Sequence, residues 1–89
     1  MSTVNGNAAT QDQVFEAISD EVEYQYGRFG FNPHEIDSFA TYIRQYSKEL
    51  DEVATKGDGP ILKLDTVRKI AALCVRCMEQ HGITYRGKA

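Results

Sequence analysis

The chain has no tryptophan, two prolines and two cysteines among 89 residues, and no excess of positive charge. Each shortage removes a class of function. Lys and Arg total 10 against 13 Asp and Glu, for a net charge of −3 and a pI near 5.3. A nucleic-acid-binding module needs a basic excess to neutralise phosphates, so a polymeric nucleic-acid partner is not expected. A small anion needs only two or three well-placed cations and stays open. No apolar run approaches the ~20 residues that span a bilayer, so no membrane partner is expected. The opening MSTVNGNAATQDQ lacks the basic start and apolar core of a signal peptide, which makes a cytoplasmic location the default expectation. Cys74 and Cys77 have CxxC spacing. A redox pair needs a thiolate activated at a helix N-terminus, and these two lie deep in a helical pattern. A zinc site would need two more ligands, and His34 and His81 are single and unpaired. The cysteines are therefore expected to be buried, reduced thiols, with no metal or other cofactor. Neither has an activating partner, and no GxSxG elbow or phosphate-cradling P-loop is present.

What remains is helical pattern. Val67 to His81 carries Val67, Ile70, Ala71, Cys74, Met78 and His81 at spacings of three and four, with Gly82 just past its end. Upstream, Val14 or Phe15, Ile18, Val22 and Tyr26 repeat in the same way after Thr10 or Asp12, both suitable caps. Asp12, Glu16, Asp20, Glu21 and Glu23 give this first helix an acidic outer side, and Gly27 is expected to end it. A second helix is expected to start at Asn32-Pro33-His34-Glu35, with Asn32 as cap, Pro33 in the first turn and Glu35 completing a capping box. Its apolar side holds Ile36, Phe39, Ala40, Ile43, Tyr46, Leu50 and Val53, and it closes near Lys56-Gly57 before the break at Asp58-Gly59-Pro60. The third helix is expected to start at Asp65, because a helix through Lys63 would place that lysine in the apolar stripe. Ile61 and Leu62 then pack from an extended lead-in.

These segments predict an all-α fold: a three-helix bundle over residues 11–82, between an N-terminal tail of 1–10 and a C-terminal tail of 83–89. On the third helix the apolar arc runs from Leu73 through Ile70, Val67 and Met78 to Val75. It covers roughly 200° at about 100° per residue, against ~100° for an ordinary surface helix. Two neighbours do not cover that arc, so a homo-oligomer through the third helix is expected.

Two groups of residues bear on chemistry. Gly27-Arg28-Phe29-Gly30-Phe31 brackets a cation and an aromatic with glycines, as a ligand loop would. Lys69 and Arg76, seven apart, lie on nearly one line of the third helix with Arg68 beside them, and Arg86 and Lys88 follow in the tail. With Tyr42 or Tyr46 from a neighbouring subunit, this basic line could hold a phosphate and stack a base. Glu49 and Glu52, one turn apart, could share Mg²⁺, but the third helix offers only Asp65 and Glu79, at opposite ends.

The Arg28-Phe29-Gly30 turn, His34, the Tyr42-Ile43-x-x-Tyr46 pattern and the closing VRKIAALCVRCMEQHG together resemble small proteins of tailed phages and prophages. Those proteins typically end in a V-K/R-x-A-A-L-A-V-x-x-x-E helix. Val67, Lys69, Ala71, Ala72, Leu73, Val75 and Glu79 match it, Cys74 replaces the usual Ala, and Phe29 stands where many have Trp. Many such proteins are similar to MazG-like all-α nucleotide pyrophosphohydrolases, which hold Mg²⁺ with an ExxE motif on one helix and ExxD on the next. Glu49 and Glu52 match the first motif and nothing matches the second. The resemblance therefore implies a helical nucleotide-binding scaffold without its metals, more in keeping with a non-enzymatic role than with hydrolysis. Phages also carry small oligomeric proteins that sequester the cyclic or ADP-ribose-derived nucleotides of bacterial immunity (CBASS, Thoeris), and by analogy this chain is expected to be such a sponge. Its ligand-binding residues are expected to be Arg28, Phe29, His34, Tyr42, Tyr46, Arg68, Lys69, Arg76 and Arg86. A Mg²⁺-dependent pyrophosphohydrolase is the alternative, and a protein-binding inhibitor or structural phage protein the second.

Overall fold

A computed structural model describes residues 8–57 and 59–87. The expected break at Asp58 and the cation Lys88 lie outside the described residues, as do 1–7 of the N-terminal tail. The chain forms three helices, α1 (Gln11–Phe29), α2 (Ile36–Thr55) and α3 (Pro60–His81), and among the described residues no strand. The expected all-α three-helix bundle is the architecture observed.

Local chemistry explains most helix ends. Thr10 caps α1 through a reciprocal capping box with Gln13, at 2.9 and 3.2 Å. The helix does not stop at Gly27, which is tolerated inside it. It ends where Gly30 takes φ +84° and ψ 175°, a conformation essentially reserved for glycine. Arg28 and Phe29 thus belong to the last turn of α1 and not to a loop. The expected cap at Asn32 also fails. Residues 31–35 are not helical, and the N-cap is Glu35, with no side-chain capping hydrogen bond. The extended segment is tied instead to the end of α3. The His34 N–H donates to Gln80 Oε1 at 2.9 Å, and His81 Nε2 lies 2.6 Å from the His34 carbonyl.

The third helix starts five residues before the expected Asp65. Gly59 caps it and Pro60 occupies the first turn, where a missing N–H costs nothing. Ile61, Leu62 and Leu64 are about half exposed, at 54, 52 and 50%, so this turn runs beyond the core. The apolar stripe need not be respected there, and Lys63 is accommodated. Asp65 does not cap; its carboxylate takes a 2.7 Å bond from Arg68 one turn later.

α3 is central. It packs on both α1 and α2, and those two do not pack on each other. Along α3, Arg68 meets Glu21 and the Tyr26 hydroxyl meets Glu79, so α1 runs parallel to it. Lys69 meets Tyr46 and Arg76 meets Phe39, so α2 runs antiparallel. The buried apolar residues are few: Val22, Phe39, Ala72 and Leu73, with Phe39 wholly enclosed. Burying one phenylalanine contributes about 1.5–3 kcal/mol.

The buried polar residues overturn two readings. Glu21, expected on the acidic outer side of α1, is only 8% exposed and accepts bonds from Arg68 and Gln25. The basic line of α3 faces inward. Thr66, Ala72, Leu73 and Arg76 are its buried residues, and Arg76 is 3% exposed. This inner face meets the broad apolar arc only at Leu73. Leu64, Val67 and Met78, on the opposite side, remain 50, 46 and 45% exposed.

Candidate binding cleft between α1 and α2

Because α1 and α2 both rest on α3 without meeting, a gap opens between them with α3 as its floor. It is a cleft of about 530 Å³, within the range of small-molecule sites. Leu73 and Arg76 form the floor. Gln25 and Phe29 supply the α1 wall, and Tyr42, Gln45, Tyr46 and Glu49 the α2 wall. His34, from the extended linker, lines it as well. Its ring stands edge-on to Phe39 and Tyr42, with centroids 5.7 Å away in each case.

Arg76 dominates the electrostatics. Its guanidinium sits 5.0 Å from the Tyr26 ring centroid and 5.7 Å from that of Phe39, and Nη1 donates to Gln25 Oε1 at 3.0 Å. Among the described residues no carboxylate pairs with it, and its buried Nε has no hydrogen-bond partner. Burying a cation with no counter-charge costs several kcal/mol. Each desolvated ring returns about 2 kcal/mol by cation–π attraction. The arginine is thus tolerated but its charge is not neutralised, and its Nε is a buried donor without a partner.

A chain of hydrogen bonds holds it in place. Asp65 accepts from Arg68 Nη1 at 2.7 Å, and Arg68 Nε donates to Glu21 Oε1 at 2.8 Å. Gln25 Nε2 donates to Glu21 Oε2 at 3.1 Å, while the same amide's oxygen accepts from Arg76. The Gln25 amide therefore stands between Arg76 and the Glu21 carboxylate. The Glu21 hydrogen bond raises the Arg68 pKa above its ordinary value, with burial opposing and Asp65 assisting. The Cys74 thiol is pushed up by burial and, to a lesser degree, by Cys77, and both cysteines are free and half-buried.

The expected site residues divide accordingly. Phe29, His34, Tyr42, Tyr46 and Arg76 come together in the cleft, all from one chain and with no neighbour required. Lys69 stands beside it, its Nζ 5.9 Å from the Tyr46 centroid. Arg68 is committed to Glu21 and Asp65. Arg28 lies against the Phe29 ring at 5.9 Å and does not line the cleft, and neither does Arg86, exposed in the turn after α3. Gln25 and Gln45 were missed, and Glu49 was read only as a metal ligand. The four-residue spacing of Gln45 with Glu49, parallel to that of Tyr42 with Tyr46, was the signal for the α2 wall. Gln25 had none, since only the packing of α1 on α3 brings it to Arg76. Among the described residues no three His, Cys, Asp or Glu cluster to hold a metal ion, and no helix is long and apolar enough to cross a membrane. Comparison with known proteins gives no match to this chain, whether a family model, a curated protein or a solved structure.

Proposed function

We propose that this chain binds a small nucleotide-type anion in the α1–α2 cleft and holds it without turnover. The observation behind the reading is Arg76, a buried guanidinium with no carboxylate partner among the described residues, at the floor of a cleft walled by Phe29, His34, Tyr42 and Tyr46. A phosphate would supply the missing counter-charge to the guanidinium, and an aromatic base would stack on the wall. Together these favour a ligand with one anionic and one aromatic end. In its fuller form, drawn from the phage resemblance, the ligand is a cyclic or ADP-ribose-derived immune signal and the protein sequesters it against bacterial anti-phage defence. Isothermal titration against a panel of mononucleotides, cyclic oligonucleotides and cyclic ADP-ribose tests the reading. Binding that disappears in Arg76→Met supports it, and no binding by any member to the folded protein overturns it. Hydrolysis has less support, because Glu49 enters the cleft without other acidic residues to share a metal.

The protein is also proposed to assemble through α3, with a second copy of the chain as occupant of its outer face. Leu64, Val67, Ala71, Cys74 and Met78 follow spacings of 3, 4, 3 and 4, the seam of a coiled-coil pair. The seam carries no charge, so it is complementary to itself.

A further inference from the structure

The cleft has one feature that an anion site alone does not explain. Glu49 lines it, and a carboxylate repels phosphate. We propose that Glu49 and Gln45 form a base-reading pair that selects guanine over the other nucleobases. This inference rests on the nucleotide reading above and specifies the ligand for the same cleft.

Position separates the two charges along the cleft. The Arg76 guanidinium lies level with Phe39, 5.7 Å from its ring, and Glu49 stands ten residues further along α2. At 1.5 Å rise per residue that is about 15 Å along the axis. A span of that order along the cleft accommodates one nucleotide. A phosphate on Arg76 therefore directs the base toward Glu49.

Chemistry then chooses the base. An ionised carboxylate only accepts hydrogen bonds, and the amide of Gln45, one turn before it, can donate. Guanine offers N1–H and N2–H₂ side by side, with the O6 acceptor adjacent. Glu49 takes the two donors and Gln45 donates to O6. Adenine and cytosine each set one amino group beside a bare ring nitrogen, which would face the carboxylate lone pair to lone pair. Uracil and thymine have one N–H between two carbonyls, so one carbonyl would meet the carboxylate. Tyr42 and Tyr46 form the adjacent row on the same wall, where the flat face of the base can stack.

The test is titration of the full-length chain with GMP, IMP and AMP at fixed ionic strength, with Glu49→Gln as the variant. IMP keeps N1–H and O6 and lacks only the 2-amino group. GMP is expected to bind at least tenfold more tightly than AMP, with IMP between them. Glu49→Gln should shrink the GMP preference to less than threefold while inorganic phosphate still protects the variant from thermal unfolding. That protection separates loss of base reading from loss of fold. Equal binding of GMP and AMP overturns guanine selection and leaves the nucleotide reading standing. A GMP preference unchanged in Glu49→Gln also overturns it. Binding of none of the three overturns guanine selection, and it overturns the nucleotide reading as well when cyclic oligonucleotides and cyclic ADP-ribose also fail to bind.

Discussion

Replacing Arg76 with methionine separates a ligand-binding cation from a structural strut. Methionine keeps most of the unbranched stem and removes the charge. In the native protein the guanidinium gains about 2 kcal/mol from each of its two rings, 5.0 and 5.7 Å away. Against this stands a desolvation penalty of several kcal/mol for a buried ion without a counter-ion. These contributions nearly cancel. What the variant loses is the partner of Gln25 Oε1, and leaving a buried acceptor unpaired costs about 1–3 kcal/mol. Arg76→Met should therefore be less stable by about 1–3 kcal/mol in urea unfolding followed by circular dichroism. For a domain of this size the thermal midpoint falls by roughly 4–8 °C per kcal/mol. Inorganic phosphate supplies the second half of the test. At a hundred times its dissociation constant, a ligand that binds only the folded state adds about 2.7 kcal/mol. The native protein should gain stability in phosphate relative to chloride at equal ionic strength, and Arg76→Met should gain none. Equal phosphate stabilisation of both proteins would refute the assignment of the anion to Arg76. A loss beyond ~5 kcal/mol in the variant would refute the claim that the buried charge is nearly self-cancelling.

Glu21→Ala removes the acceptor for Arg68 Nε and the shorter of two acceptors for Gln25 Nε2, which keeps only the 3.4 Å bond to the Lys69 carbonyl, and should cost about 1–3 kcal/mol in urea unfolding. It should also weaken ligand binding by freeing the Gln25 amide that positions Arg76, which titration reads directly. Gly30→Ala forces a side chain into φ +84°, ψ 175°, so the thermal midpoint should drop by an amount equivalent to about 1–3 kcal/mol although nothing crowds the new methyl group. Val67→Glu places a charge in the proposed α3 seam and, if the chain assembles there, should shift sedimentation toward the monomer while the helical circular dichroism signal is kept; an unchanged mass would remove the seam. Burial raises the Cys74 thiol pKa, so the folded state holds its proton more tightly than the unfolded chain does. The stability this thiol contributes is complete below its unfolded pKa and is lost as pH rises through the folded value. Cys74→Ala should therefore show a flatter fall in stability on the alkaline side in pH-dependent urea unfolding.

Much of the molecule could be read from local chemistry. The three helical segments, the Gly82 end of α3 and the cap at Thr10, one of the two candidates for it, depend on residues within a turn or two of each other, and the structure contains them. The misplaced boundaries differ in cause. Asn32-Pro33 has good capping chemistry, but Gln80 and His81, more than forty residues later, hold the segment extended. The first turn of α3 forms ahead of Asp65, begun by Gly59 and Pro60, and leaves Ile61, Leu62 and Leu64 about half exposed.

Periodicity gives each side chain an angle around its helix, and on that basis alone Lys69 and Arg76 share a line and Val67, Ala71 and Met78 share another. It does not say which line faces the other helices. Hydrophobicity favours the apolar arc, yet the fold buries only Leu73 of it, leaves its middle half-buried and exposes Val67 and Met78. The reason lies in residues distant along the chain. Small Ala72 and Thr66 let the neighbours approach, while Tyr26 from α1, Phe39 from α2 and the Gln25 amide close around Arg76 and make a buried cation tolerable. The sequence alone determined three helices and the residues on each face. Only the tertiary structure decided that the cationic face points inward, because the groups that offset its burial come from two other helices.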